Sequence, residues 1–143
     1  MSCKHRNYKS AQVALNTAPQ TIAATGTSVS VLGSLVTDTG CSVKTTNTGF
    51  QINASGLYAI RYAITFNATD AGILSIQLLK DGIAIPGTLT QNTVAAGETY
   101  TFVAEAPALV VGTCCNICPN ITAVISDVAG TVSYVSASVV RLA

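Results

Sequence analysis

Apolar and polar residues alternate along much of this chain, most clearly from Phe50 to Phe66, FQINASGLYAIRYAITF. Beyond Gly56, the side chains of Tyr58, Ile60, Tyr62, Ile64 and Phe66 fall on one side, and those of Ala59, Arg61, Ala63 and Thr65 on the other. Side chains alternate across a strand with period 2, so the run predicts a long β-strand with one heavy face and one small, partly polar face.

The same pattern predicts shorter strands at Gln12 to Leu15, Gln20 to Ala24 and Ser28 to Val36, before a turn cluster at Thr37 to Cys41. Phe50 to Asn53 and Leu57 to Asn67 are strands joined at Ser55-Gly56, and Ile73 to Lys80 follows the turn at Asp70 to Gly72. Asp81-Gly82 is the strongest hairpin signal, because both residues accept the positive φ of a tight type I′ turn. Ile83 to Pro86 returns from it, and proline marks an edge or an end. Thr99 to Ala106, Ile117 to Ser126 and Thr131 to Leu142 complete the set. The last strand carries Val132, Tyr134, Val140 and Leu142 on one face and Val135, Ala137 and Val139 on the other, which predicts burial on both faces. Many short strands without a helical pattern give an all-β sandwich.

Composition sharpens this picture. The 143 residues suit a single domain, read as a basic arm over 1–10 and a folded unit over 11–143. Charged residues make up only 9% of the chain, well below the ~25% of ordinary domains. So little charge leaves few means of keeping copies apart, and points to a surface partly covered in an oligomer. The net charge of +1 excludes a broad nucleic-acid-binding field. Lys4, Arg6 and Lys9 nevertheless concentrate positive charge in the first nine residues, as an arm suited to docking on an acidic neighbour would. No apolar run is long enough for a membrane helix, and no apolar core follows the basic start as in a secretory signal, so synthesis in a cytoplasm is expected.

Catalytic chemistry has little to stand on. His5 is the single histidine and lies in the arm, away from any fixed triad. The acids Asp38, Asp70, Asp81, Glu98 and Asp127 read as turn residues, and Glu105 as an outward strand residue able to pair with Arg61. Asn53, Asn67 and Asn120 begin glycosylation sequons that reflect Ser and Thr abundance. Tyr58, Tyr62, Tyr100 and Tyr134 read first as core, and otherwise as platforms for stacking on sugars.

Five cysteines stand at 3, 41, 114, 115 and 118, with Cys115 and Cys118 forming a CxxC. Three states fit them. Zinc would take Cys115 and Cys118 with two of Cys3, His5, Cys41 and Cys114, although only one pair is local. Disulfides would leave one thiol over, and Cys3 on an arm is placed to reach a neighbouring copy. Reduced thiols packed as small hydrophobes are the third state. The CxxC leads into a strand pattern through Pro119, unlike the helix start of a redox site.

The string Phe50-x-Ile52 through Gly56-Leu57-Tyr58-x-Ile60-x-Tyr62-x-Ile64 resembles the central strands of the tumour-necrosis-factor and complement-head jelly rolls. It is closer still to their bacterial and phage relatives, the C-terminal domains of exosporium glycoproteins and the small capsid-decoration or fibre-head proteins. Leu74 to Pro86, Gly97 to Phe102 and Val132 to Leu142 fit the later strands. The resemblance implies a two-sheet antiparallel jelly roll of ten strands that forms a homotrimer, with Tyr58, Tyr62, Phe66 and Tyr134 as core and interface. It implies a structural, non-enzymatic protein without cofactor on a particle surface, a virion first and a spore coat or appendage second. Its partners would be itself, a capsid or coat protein bound by Lys4, Arg6 and Lys9, and in a third reading a host glycan or receptor. The chain departs from the pattern in holding no collagen repeat and in its cysteines.

Overall fold

A computed structural model of the chain describes residues 10–40, 42–110 and 118–142, the last three residues of the second span by backbone alone. The architecture is all-β, a jelly-roll sandwich of two antiparallel sheets. The first sheet contains β1 (Ala11–Asn16), β2 (Gln20–Ile22), β4 (Ser34–Thr39), β7 (Gly56–Ala68), β11 (Thr99–Val110) and β13 (Gly130–Arg141). Its order is β11-β7-β13-β1-β4, with β2 beside β13. The second sheet contains β3 (Thr27–Ser28), β5 (Val43–Thr45), β6 (Gly49–Ile52), β8 (Gly72–Lys80), β9 (Ile83–Ala84), β10 (Thr90–Val94) and β12 (Asn120–Ser126). Its order is β10-β8-β12-β6-β5, with β3 on β12 and β9 on β8.

The alternation in β7 has the consequence expected of it. Tyr58, Ile60, Tyr62, Ile64 and Phe66 are fully buried and meet Phe50, Ile52, Leu74, Ile76, Leu78, Ile121 and Ile125 of the facing sheet. The Phe50 ring meets Tyr62 edge to face, with centroids 6.1 Å apart, a geometry that suits the ring quadrupoles. A polar tie also joins the sheets. Gln12 of β1 is buried, donates to the Asp38 carboxylate of β4, and accepts a 2.8 Å bond from the Thr45 hydroxyl of β5.

The Asp81-Gly82 turn is as predicted, with φ of +52° and +80°. Asp81 is also tied to β12, its amide donating to the Asn120 carbonyl while its carboxylate accepts from the Asn120 amide. Other expectations are corrected. The strand expected over Ser28 to Val36 is broken into β3 and β4. Gly33 interrupts it, donating to the Leu15 carbonyl so closely that a Cβ would lie 2.6 Å from that oxygen. β4 then runs on through Thr37 to Thr39, where a turn was expected. β5 and β10 carry no apolar alternation and were not predicted. Ser10, read as part of the arm, is fully buried, its carbonyl accepting from Arg141 and its hydroxyl from the Ser42 amide at 2.9 Å.

The last strand differs most. A bulge at Ser133 shifts the β13–β7 register between Val132 and Tyr134. One extra residue inverts the alternation. Val132 therefore joins Val135, Ala137 and Val139 in the core, while Tyr134 turns outward and stays 42% exposed. Within one copy β13 is buried on its inner face alone.

Candidate functional site on the outer face of the first sheet

The register of the first sheet builds a second, outward surface from the side chains left over by the core. Ala11, Val140, Ala59 and Pro107 lie in one row across β1, β13, β7 and β11. The next rows are Val13, Ser138, Arg61 and Glu105, and then Leu15, Ser136, Ala63 and Val103. Tyr134, Thr65 and Thr101 continue the surface. Small apolar and hydroxyl side chains thus cover four strands. The charges on it are Arg61 and Glu105, direct cross-strand neighbours with 3.7 Å between nitrogen and oxygen.

This arrangement revises the expected interface. Tyr58, Tyr62 and Phe66 are fully enclosed within one copy and offer nothing to a second. Tyr134 alone of the four reaches the surface. The physical reason is that a sandwich must bury its heavy face against its own second sheet, which leaves the small face for neighbours. The signal was present in the sequence, in the Ala59, Arg61, Ala63, Thr65 alternation, but bulk drew attention to the other side. As stacking platforms, Tyr58 and Tyr62 are ruled out by the same burial, while Tyr100 is half-buried, stacked on Phe102 and accepting from the Ala95 amide.

At one end of the sandwich Arg141 donates to the Ser42 hydroxyl at 3.0 Å and to the Ser55 carbonyl at 2.9 Å. The Tyr58 hydroxyl donates to the Ala54 carbonyl at 2.7 Å. Burial raises the Tyr58 phenol above its ordinary range, opposed in part by the Arg141 charge and by Ser42. Burial raises Tyr62 further, and its hydroxyl has no hydrogen-bond partner among the described residues.

The same end anchors the segments that carry the cysteines. Ser42 binds Ser10, Asn53 donates to the Ser42 carbonyl, and Ile52 donates to the Pro119 carbonyl. Cys118 is half-buried and in no disulfide with a described residue. Cys3, Lys4, His5, Arg6, Lys9, Cys41, Cys114 and Cys115 lie outside the described residues, and the zinc, disulfide and arm-docking expectations lie there with them. No group of three metal-ligating side chains occurs among the described residues.

No protein-family model matches this chain, and no curated protein sequence matches it. Solved structures do. Murine APRIL is similar with a TM-score of 0.67 at 12% identity, over 94% of this chain and 100% of that one. The PRD1 vertex protein P5 is similar with a TM-score of 0.62 at 17% identity, over 93% of this chain and 73% of that one. The globular domain of zebrafish complement 1qA protein gives 0.59 at 9% identity, over 94% and 98%. The chain therefore has the jelly-roll fold of tumour-necrosis-factor-like and complement-head-like domains.

Proposed function

We propose that this chain is a non-enzymatic structural protein that assembles as a homotrimer on the surface of a particle, as a head-decoration or fibre-head component of a phage virion. The observation that carries this reading is the outer face of the first sheet, whose side chains are small, apolar or hydroxylic and whose charges are already paired. Such a face loses little on leaving water, and interface cores are depleted in charge in the same way. The likeness to a vertex protein supports the particle setting. In this reading Lys4, Arg6 and Lys9 attach the trimer to a capsid or coat protein.

A second reading, a spore-surface or appendage subunit linked through Cys3, draws support from the shared end at which the cysteine-bearing segments join the fold. Light scattering with and without reductant separates the two. A trimer in both conditions supports the virion component. Polymers that collapse under reductant favour the appendage. A monomer in both refutes self-assembly and the function built on it.

A further inference from the structure

Arg61 and Glu105 stand midway along β7 and the edge strand β11, on an outer face where no other described residue is charged. Ala59 and Ala63 flank Arg61 along β7, Val103 and Pro107 flank Glu105 along β11, and Ser138 lies across from Arg61 on β13. In the single copy the pair is wet and loose, at 3.7 Å with the two side chains 51% and 67% exposed. An exposed pair of this kind contributes little to folding, and the core beneath it is complete without it. Its placement is therefore unexplained by the fold of one copy.

We infer that Arg61 and Glu105 form the charge lock of the self-contact, selecting a second copy of this chain as the partner and setting its register. The inference rests on the proposed self-assembly. One positive and one negative group side by side make the face self-complementary. A cyclic contact that brings the pair of one copy against the pair of the next alternates the signs, so each guanidinium meets carboxylates of its own copy and its neighbour. The surrounding alanines, valine and proline supply no alternative partner, and Ser138 supplies only a neutral hydroxyl. Once the face is covered, removal of either charge strands the other in a dry contact, whereas removal or exchange of both does not. A foreign apolar surface covering this face would dehydrate the pair without adding partners to it, and this selects against it.

The test uses the full chain with Arg61→Gln, Glu105→Gln and the exchanged double variant Arg61→Glu/Glu105→Arg. Molar mass is followed by light scattering through a dilution series, with circular dichroism and thermal melting on the same samples. Both single variants should keep the β spectrum yet dissociate at concentrations on the order of 100-fold higher than the parent. The exchanged variant should assemble like the parent. Single variants that assemble like the parent overturn the lock and leave the trimer standing. An exchanged variant that dissociates like the single ones also overturns it, because alternation tolerates reversal. A parent chain that is monomeric throughout overturns the assembly itself, and the lock with it.

Discussion

Two tyrosines on the same face of the same strand should respond to the same substitution with opposite sign. Tyr58 and Tyr62 are both fully buried on the inner side of β7. The Tyr58 hydroxyl donates to the Ala54 carbonyl at 2.7 Å. The Tyr62 hydroxyl has no partner among the described residues and lies beside Gly49, where an added Cβ would come within 3.1 Å of it. A buried hydrogen bond is worth about 1 kcal/mol net, whereas a buried polar group without a partner costs about 1–3 kcal/mol. Tyr62→Phe keeps the ring and its edge-on contact with Phe50. It should stabilise the protein by about 1 kcal/mol, a rise in melting temperature of about 4 °C for a domain of this size. Tyr58→Phe should cost about 1 kcal/mol and leave the Ala54 carbonyl without its donor.

Urea unfolding at one fixed protein concentration is the assay, because assembly makes apparent stability depend on concentration. With unchanged slopes, the two midpoints should separate in opposite directions, each by roughly 0.5 M from the parent. A Tyr62→Phe variant less stable than the parent refutes the reasoning, since it would mean that the hydroxyl has a partner after all. Two variants shifted in the same direction would refute the use of hydrogen-bond satisfaction to tell these residues apart.

Burial raises both tyrosine phenols above their ordinary range, so above about pH 10 the unfolded chain ionises while the folded one holds its protons. The unfolded state then binds fewer protons, and stability should fall as pH rises, by at most about 1.4 kcal/mol per pH unit for each such tyrosine, checked by melts across alkaline pH. Replacing Gly49 with alanine would place a Cβ 1.7 Å from the Ile121 carbonyl oxygen; β6 and β12 cannot pair at that distance, and a loss of about 3 kcal/mol or more is expected in urea unfolding. Ala63→Arg on the outer face should change the stability of one copy by less than about 0.5 kcal/mol while abolishing the proposed trimer in light scattering; a trimer that survives would place the contact elsewhere.

Much of the fold was legible because the heavy strands obey period 2. Tyr58 to Phe66 and Leu74 to Leu78 alternate without interruption, and each lies buried where the alternation puts it. The Asp81-Gly82 turn was legible through its φ requirement. What escaped had no hydrophobic signature. β5 and β10 are held by neighbours rather than by their own pattern, and Ser133 is a bulge because of a register that only pairing with β7 defines. The candidate site was visible as residues and misread as a role. Tyr58, Tyr62 and Phe66 look like interface residues to any reading by bulk, but bulk on a sandwich strand is claimed first by the opposite sheet.

The scarcity of charge now has a location. Asp70, Asp81, Glu98 and Asp127 sit in turns, Lys80 and Arg141 close their strands, and Asp38 is held by Gln12. The outer face of the first sheet is thereby kept almost neutral, Lys44 lying on β5 of the second sheet. A chain that only had to stay soluble would gain from lysine and glutamate at outward positions such as Ala59, Ala63, Val103, Ser136 and Ser138. Small side chains at those positions allow a second backbone to come close, and the hydroxyls of Ser136, Ser138, Thr65 and Thr101 give it hydrogen-bonding groups without a buried charge. The one exception, Arg61 with Glu105, carries both signs at once and adds no net charge to the face. Low charge in this chain is thus a property of a particular surface, the one on which the proposed self-assembly rests.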